Sequence, residues 1–348
     1  LAERGSEAAV AVVVVTYRSA EHIAGLVSTV VEQLREGDEL VIVDNASDDG
    51  TPALARSASK RVSVIETGRN LGFAGGCHVG AETTRAPLLL FLNPDCQPQP
   101  GCLQFLREAA GTHPEWGAWQ AAVLLEDGRI NTSGGVVHYL GIGWAGDCER
   151  PLAELPERDR EIAFPSGAAM VIRREDWNAL GGLDRDYFMY GEDLDLGLRL
   201  WLNGRGVGLV PSARVIHSYE FDKGSAKWFW LERNRWRTVL SVYPAPLLIL
   251  LAPALLGAEV GLLAIAARGG WLTSKLRAQL AALRALPQTL ARRRHVQHGH
   301  QVGASKFAAH LTSSLDSPYL QAAQSRWLSA PQAAYWSLVR RVLSLLDR

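Results

Sequence analysis

The sequence predicts an α/β fold: a mostly parallel, doubly wound central sheet flanked by helices, with a helical C-terminal appendage. Three observations carry this expectation. Short, nearly pure apolar runs recur through the first hundred residues, the pattern of strands buried on both faces. Segments of helical spacing separate them, as parallel crossovers require. The composition then changes after Arg237, where residues 238–258 carry no charge.

The elements follow in order. Ala8 to Val15 is a run of Ala and Val that stops at Thr16-Tyr17-Arg18-Ser19, and reads as the first strand. Glu21 to Leu34 places Ile23, Leu26, Val30 and Leu34 on one helical stripe. Leu40 to Val43 is a second strand, ending at Asp44-Asn45. Ser47 to Gly50 is a turn, with Ser47 and Asp48 as helix caps, and Thr51 to Ser59 is a helix. Val62 to Ile65 and Leu88 to Leu92 are the third and fourth strands. Thr16, Asp44, Asn70 and Asp95 follow the four strands. Ligands of open α/β sheets bind outside the carboxyl ends of the strands, so these four groups are expected around one crevice.

Residues 123–162 alternate polar, Gly-rich and short apolar segments, as in a sheet extension with loops. Phe164 to Ile172 and Val207 to Val210 read as further strands, and Gly191 to Leu202 as a helix with an Asp195/Arg199 pair at i,i+4. The expected division is an α/β domain over 1–237 and a helical, basic region over 238–348. Pro244, Pro246 and Pro253 interrupt the uncharged stretch, so an interfacial or re-entrant hairpin, a true span and a helical subdomain packed on the core all fit it. Ala278 to Leu290 and Tyr335 to Leu346 read as amphipathic helices, with Trp271, Trp327 and Trp336 placed for a headgroup layer.

Hydrophobic residues at 47% exclude wholesale disorder, and a formal net charge of +0 excludes a general nucleic-acid binder. The charge is unevenly spread. From Arg268 onward there are 12 Lys/Arg against Asp316 and Asp347; with 36 of each sign in all, the body before it holds 24 basic and 34 acidic residues. A basic tail on an acidic body suits an anionic membrane surface. The four cysteines show no zinc spacing and fit a reducing compartment, and Leu1 to Ala9 shows no secretory signal.

Four segments can carry chemistry. In Asp44 to Thr51, a strand-end carboxylate can accept a hydrogen bond from a pyrimidine N3–H, or the segment is a capped turn. In Arg69 to Gly76, glycines can expose backbone N–H groups to phosphate, or form a tight loop. In Asn93-Pro94-Asp95, the Asp can ligate Mg²⁺ or Mn²⁺ on a diphosphate, or cap a helix. In Gly181 to Asp195, Glu192, Asp193 and Asp195 crowd a helix start, which favours ionised carboxylates of the kind a general base needs, or forms a structural cap cluster. His217, after a strand-like segment, is a candidate metal partner for Asp95.

In this order, with Thr16-Tyr17, Ser166-Gly167-Ala168 and His217, the segments resemble family-two inverting glycosyltransferases of the GT-A fold, nearest the bacterial rhamnosyltransferase-like branch, over residues 10–237. The resemblance implies roles. Thr16, Tyr17 and Asp44 hold the nucleotide. Asn70, Gly72, Phe73 and Asn93 line its pocket. Asp95 and His217 hold a divalent metal, Mg²⁺ or Mn²⁺. Asp193 is the catalytic base, with Glu192 beside it. Asn93 stands where many members have an Asp, and His78 where Asn is common. The implied donor is a dTDP-, UDP- or GDP-sugar, rhamnose favoured. The implied acceptor is a polyprenyl-linked or other envelope glycan, at the inner face of the cell membrane. A nucleotidyltransferase would need a Gly-rich, basic loop after the first strand, which Val15 to Arg18 does not provide. A non-catalytic, membrane-bound sugar-nucleotide-binding subunit is the other alternative.

Overall fold

The computed structural model describes residues 8–218, 226–316 and 326–347. The chain divides into two compact units: Leu1–Gly134, Ala145–Met189 and Arg205–Tyr219 form one, and Gly135–Trp144, Tyr190–Gly204 and Glu220–Arg348 the other.

The first unit is built on a sheet. Its strands are β1 (Val10–Thr16), β2 (Glu39–Asp44), β3 (Val62–Glu66), β4 (Leu88–Leu92), β5 (Cys96–Pro98), β6 (Trp116–Leu124), β7 (Ile130–Thr132), β10 (Arg160–Glu161), β11 (Ala169–Arg173) and β12 (Gly206–His217). They lie in the order β10-β12-β6-β11-β4-β1-β2-β3, with β5 beside β12 and β7 beside β6. Helices α1 (Ala20–Val31), α2 (Thr51–Ala58), α3 (Gly72–Thr83), α4 (Cys102–Thr112) and α5 (Arg174–Leu180) complete it. Every residue of β1, β4 and β6 is buried, which is why these strands read as continuous apolar runs.

Strand direction decides where the polar ends go. β1 pairs in parallel with β2 and β4, β2 with β3, and β6 with β12. β11 is antiparallel to both β4 and β6, so β6 and β12 run the same way as β1 to β4. The carboxyl ends of all six strands therefore share one edge of the sheet. Thr16, Asp44, Asp95 and His217 lie at or just beyond that edge.

The glycine segment after β3 forms a helix rather than the expected phosphate-approaching loop. Residues 72–83 are α3, packed on β1. A Cβ on Gly76 would lie 2.5 Å from a Val15 methyl carbon, and one on Gly80 2.2 Å from a Val13 methyl carbon. The glycines there let helix and sheet approach, which a spacing count cannot tell from phosphate binding.

The second unit holds α6 (Glu192–Leu202), α7 (Ala226–Val242), α8 (Ala245–Arg268), α9 (Leu272–Arg284), α10 (Leu286–Gln297), α11 (Ala304–Ala308) and α12 (Arg326–Leu346), with a two-stranded ribbon of β8 (Gly135–Val137) and β9 (Gly143–Ala145). The uncharged stretch 238–258 is not one continuous helix. It begins inside α7, which runs unbroken through residues 237 and 238, and breaks at Tyr243-Pro244. It then enters α8, which continues through Pro253 for 24 residues. Pro246 sits in the first turn of α8, where no N–H is needed. The helix expected over 278–290 is split at Ala285, just before Pro287. Trp336 is not at a surface: it is 6% exposed and stacks on Tyr139 at 5.1 Å. Trp271 stacks on Trp228 at 4.8 Å. The Trp327 side chain lies outside the described residues.

Candidate active site

Register places the first polar pair. Thr16 and Asp44 are partners at the ends of β1 and β2, so their side chains emerge on the same face. The Thr16 hydroxyl donates to Asp44 Oδ1 at 2.8 Å. Ser47 adds its hydroxyl to Oδ1 at 2.6 Å and its N–H to Oδ2 at 2.8 Å. Asp44 is 1% exposed and Thr16 is fully buried. Thr16 and Ser47 thus orient the carboxylate, and the neighbouring Tyr17 side chain is exposed.

The expected caps at Ser47 and Asp48 do not form. The cap residue of α2 is Gly50 at φ 86°, and it is Asp49 Oδ1 that accepts from the Thr51 N–H, at 3.1 Å. Ser47 is committed to Asp44, and Asp48 pairs with exposed Arg18 at 2.7 Å. Around Gly72, Asn45 donates to its carbonyl at 3.0 Å and Asn70 accepts from its N–H at 2.8 Å. Gly72 has φ 73°, and a Cβ there would lie 2.4 Å from the Phe188 carbonyl oxygen. The same carbonyl accepts from the Phe73 N–H at 2.7 Å. Gly72 and Phe73 therefore hold the chain turn at 188 in place. Asn93, half-buried, donates its N–H to the Ala168 carbonyl at 3.0 Å.

Asp95 and His217 come together as the sequence suggested. His217 Nε2 lies 3.1 Å from Asp95 Oδ1. Asp95 precedes a strand, β5, so it caps no helix. On its other side His217 Nδ1 is 3.2 Å from Asn131 Oδ1. An amide oxygen only accepts, so this contact asks for a proton on Nδ1 and leaves Nε2 as the ring nitrogen that faces Asp95. Asn131 has no signature in sequence; β7 brings it there through its pairing with β6. Cys96 is the third possible ligand of this cluster, but burial, then the Asp95 charge, push its thiol well above the usual range, so it stays protonated. The oxygen and nitrogen fit a small divalent cation. Adjacent ligands of an octahedral ion at about 2.1 Å are about 3 Å apart.

The carboxylates of α6 belong to the second unit. Gly191, at φ 84°, is the cap residue, so Glu192 and Asp193 stand in the first turn. Asn234 donates to the Tyr190 carbonyl at 2.7 Å and steadies that turn. Glu192 is 6% exposed and its Oε2 has no hydrogen-bond partner among the described residues. Burial, then the neighbouring Asp193 charge, push its carboxyl up to about 8. Asp193 is only half-buried. The two acids thus differ: Glu192 is closed off in the interior, and Asp193 is half-buried. Asp195 is the structural partner it was expected to be. It is fully buried, accepts from Arg199 Nε at 2.8 Å and pairs with Arg292 of α10 at 2.6 Å. Burial opposes its ionisation, but Arg292 and Arg199 together hold its carboxyl below the usual range. Gly181 to Asp184 is a packing turn: a Cβ on Gly182 would lie 2.6 Å from Trp177, and His78 Nε2 meets the Leu183 carbonyl at 2.6 Å.

Comparison with known proteins gives the family. The glycosyl transferase family 2 profile matches residues 11–177, and that of glycosyl transferase family group 2 matches 155–286. An N-acetylglucosaminyl-diphospho-decaprenol L-rhamnosyltransferase of Mycobacterium tuberculosis is 30% identical over 240 residues, covering 61% of this chain and 77% of the relative. The rhamnosyltransferase WbbL of Escherichia coli K12 is 37% identical over 78 residues, 22% of this chain and 28% of that one. Among solved structures, GalNAc-T7 with UDP, GalNAc and Mn²⁺ superposes with a TM-score of 0.55 at 17% identity, over 69% of this chain and 49% of that one. Residues 1–349 of S. aureus TarS give 0.50 at 15% identity, over 96% of this chain and 90% of that one. These likenesses show the GT-A fold.

Proposed function

This chain belongs to glycosyl transferase family 2, in its rhamnosyltransferase-like branch, and we propose that it transfers L-rhamnose from a dTDP-linked donor to a polyprenyl-diphosphate-linked saccharide, with inversion. The observation that carries the choice of sugar and acceptor is the 30% identity to the mycobacterial decaprenol-linked rhamnosyltransferase over 77% of its length. The expected location is the inner face of the cell membrane, because α8 is apolar and largely exposed.

In this reading Asp44 accepts the pyrimidine N3–H, held in place by Thr16 and Ser47. Tyr17, Asn70 and Asn93 flank the nucleotide. Asp95 and His217 hold a divalent cation, Mn²⁺ or Mg²⁺, which neutralises charge on the diphosphate when bound. Asp193 takes the proton from the acceptor hydroxyl as that oxygen attacks the anomeric carbon. The carbon–oxygen bond to the diphosphate breaks on the opposite face, and the electron pair leaves on the phosphate oxygen. Glu192, kept neutral by burial, adds no second negative charge beside the base and so does not raise the barrier to bringing an anionic donor near.

Purified protein supplied with N-acetylglucosaminyl-diphospho-polyprenol is expected to turn over dTDP-rhamnose with Mn²⁺ in preference to UDP- and GDP-sugars. Turnover of one of those donors with none of dTDP-rhamnose would overturn the choice of sugar.

A further inference from the structure

Helix α8 is long and apolar enough to cross a bilayer, with a hydropathy of 2.3 over a window only 11% buried. Its 24 residues extend about 36 Å, against a hydrocarbon core of about 30 Å. Its side chains argue against crossing. Glu259, about 21 Å from the helix start, is clamped into a closed ring of charges. Lys275 of α9 donates to Glu259 Oε2 at 2.7 Å and to Glu232 Oε1 at 2.8 Å. Arg235 of α7 pairs with Glu232 at 2.7 Å and also with Glu259. Gln279 donates to Glu259 Oε2 at 2.6 Å. A span would carry Glu259 deep into hydrocarbon. It would also drag in the polar stretch Glu232 to Arg237 of α7, since the ring ties both helices together.

The side of α8 away from buried Leu247, Leu251 and Leu255 is a different surface, roughly a quarter turn from Glu259. Ile249, Leu256 and Val260, spaced i, i+7 and i+11 on one face, are 72%, 70% and 71% exposed. On α9, Leu276, Leu280 and Leu283 form a second exposed stripe, with exposed Arg277 and Arg284 along its flank. Leucine beside arginine on a surface helix is the pattern of interfacial insertion, with the guanidinium groups reaching headgroups. The region from Arg268 onward carries 12 Lys/Arg against two acidic residues, which complements anionic lipid.

We infer that α8 lies in the plane of an anionic lipid interface, its Ile249/Leu256/Val260 face in the acyl layer and its Glu259 side clamped to α7 and α9, and that it does not cross the membrane. The inference rests on the membrane-side location proposed above and refines it to a geometry.

Depth measurement tests it. In the full-length protein with Cys148→Ser, single cysteines replace Ile249, Leu256 or Val260 and carry a fluorophore; the other three native cysteines are buried. The labelled proteins are mixed with phosphatidylcholine–phosphatidylglycerol vesicles bearing a nitroxide at a shallow or a deep acyl position. The expected result is similar quenching at all three positions, stronger from the shallow nitroxide. A crossing helix puts Leu256 about 10 Å deeper than Ile249. Strongest quenching of position 256 by the deep nitroxide would therefore overturn the inference. Equal results in pure phosphatidylcholine would remove its anionic part, and quenching at no position would remove it altogether. Substituting both Leu256→Gln and Val260→Gln, at exposed sites, is expected to weaken vesicle binding about tenfold or more. No donor or acceptor is present, so failure of the rhamnosyl-transfer reading leaves these results standing, and the reverse also holds.

Discussion

The two units handle buried polar groups in different ways. In the first, strand ends bring partners together around single groups: Thr16 and Ser47 meet Asp44, and Asn131 meets His217 across 86 residues. In the second, each buried carboxylate is shared between a near and a distant cation: Glu232 meets Arg235 three residues on and Lys275 across 43, and Asp195 meets Arg199 four residues on and Arg292 across 97. The sheet edge thus orients single polar groups, whereas the helices tie charges to one another. Asp193, half-buried in the first turn of α6, is the exception, proposed above to act as the base.

The largest expected effect tests that exception. Asp193→Asn should lower kcat by about 10²- to 10⁴-fold, the usual contribution of a positioned base, while the nucleotide Kd stays unchanged. Asp44→Asn should do the reverse and weaken nucleotide binding first. If both variants lost nucleotide affinity equally, the division of labour between the units would not hold.

Next in size is the charge ring. Lys275 is fully buried, and Lys275→Met leaves Glu232 and Glu259 sharing only Arg235. Breaking a buried pair in this way costs about 3–5 kcal/mol. Chemical denaturation should show that loss, and Lys275→Met combined with Glu259→Gln should recover part of it. A single variant as stable as the wild type would mean the ring does not act as a buried unit.

The same contrast explains what was legible in sequence. Strands β1 to β4 and the helices between them read directly from apolar runs, and Asp44, Asp95, Glu192 and Asp193 from carboxylates at element ends. The pairing of Asp95 with His217 was suggested by residue order, because both follow strands running the same way. The glycines of α3 misled: glycine favours close approach, and sequence does not say whether a phosphate or Val13 and Val15 is what approaches. Asn131, Gln279 and Arg292 were invisible, since nothing local marks an amide or guanidinium whose partner lies on another element. The prolines of the uncharged stretch suggested a break throughout. Only Pro244 and Pro246 mark one; Pro253 loses a single backbone bond inside α8.

Asn131 gives the third test. It acts on the site only through His217, so Asn131→Ala should raise the Mn²⁺ concentration needed for half-maximal activity by about 10- to 100-fold. Activity at saturating Mn²⁺ should change far less. An equal loss at every Mn²⁺ concentration would mark a merely structural role and remove the tautomer argument.

The last effect is a pH dependence of stability centred on Glu192. Its carboxyl is raised in the fold from 4.5 to about 8 by burial and then by Asp193. The folded chain thus holds a proton that the unfolded chain releases once the pH passes 4.5. Stability from this group is fully present below 4.5, falls as the pH rises toward 8, and is level beyond it. Glu192→Gln keeps the shape and removes the titration. Wild type and variant should melt closest together near pH 4, and the gap in favour of the variant should widen up to about pH 8. His138 and His310, each lowered to about 4 by burial, work in the other direction: they cost stability as the pH falls below 6.5. Both variants share them, so their effect cancels in the difference. A gap that stayed flat across this range would mean that burial does not raise the Glu192 carboxyl, and the distinction between the buried and the half-buried acid of α6 would disappear.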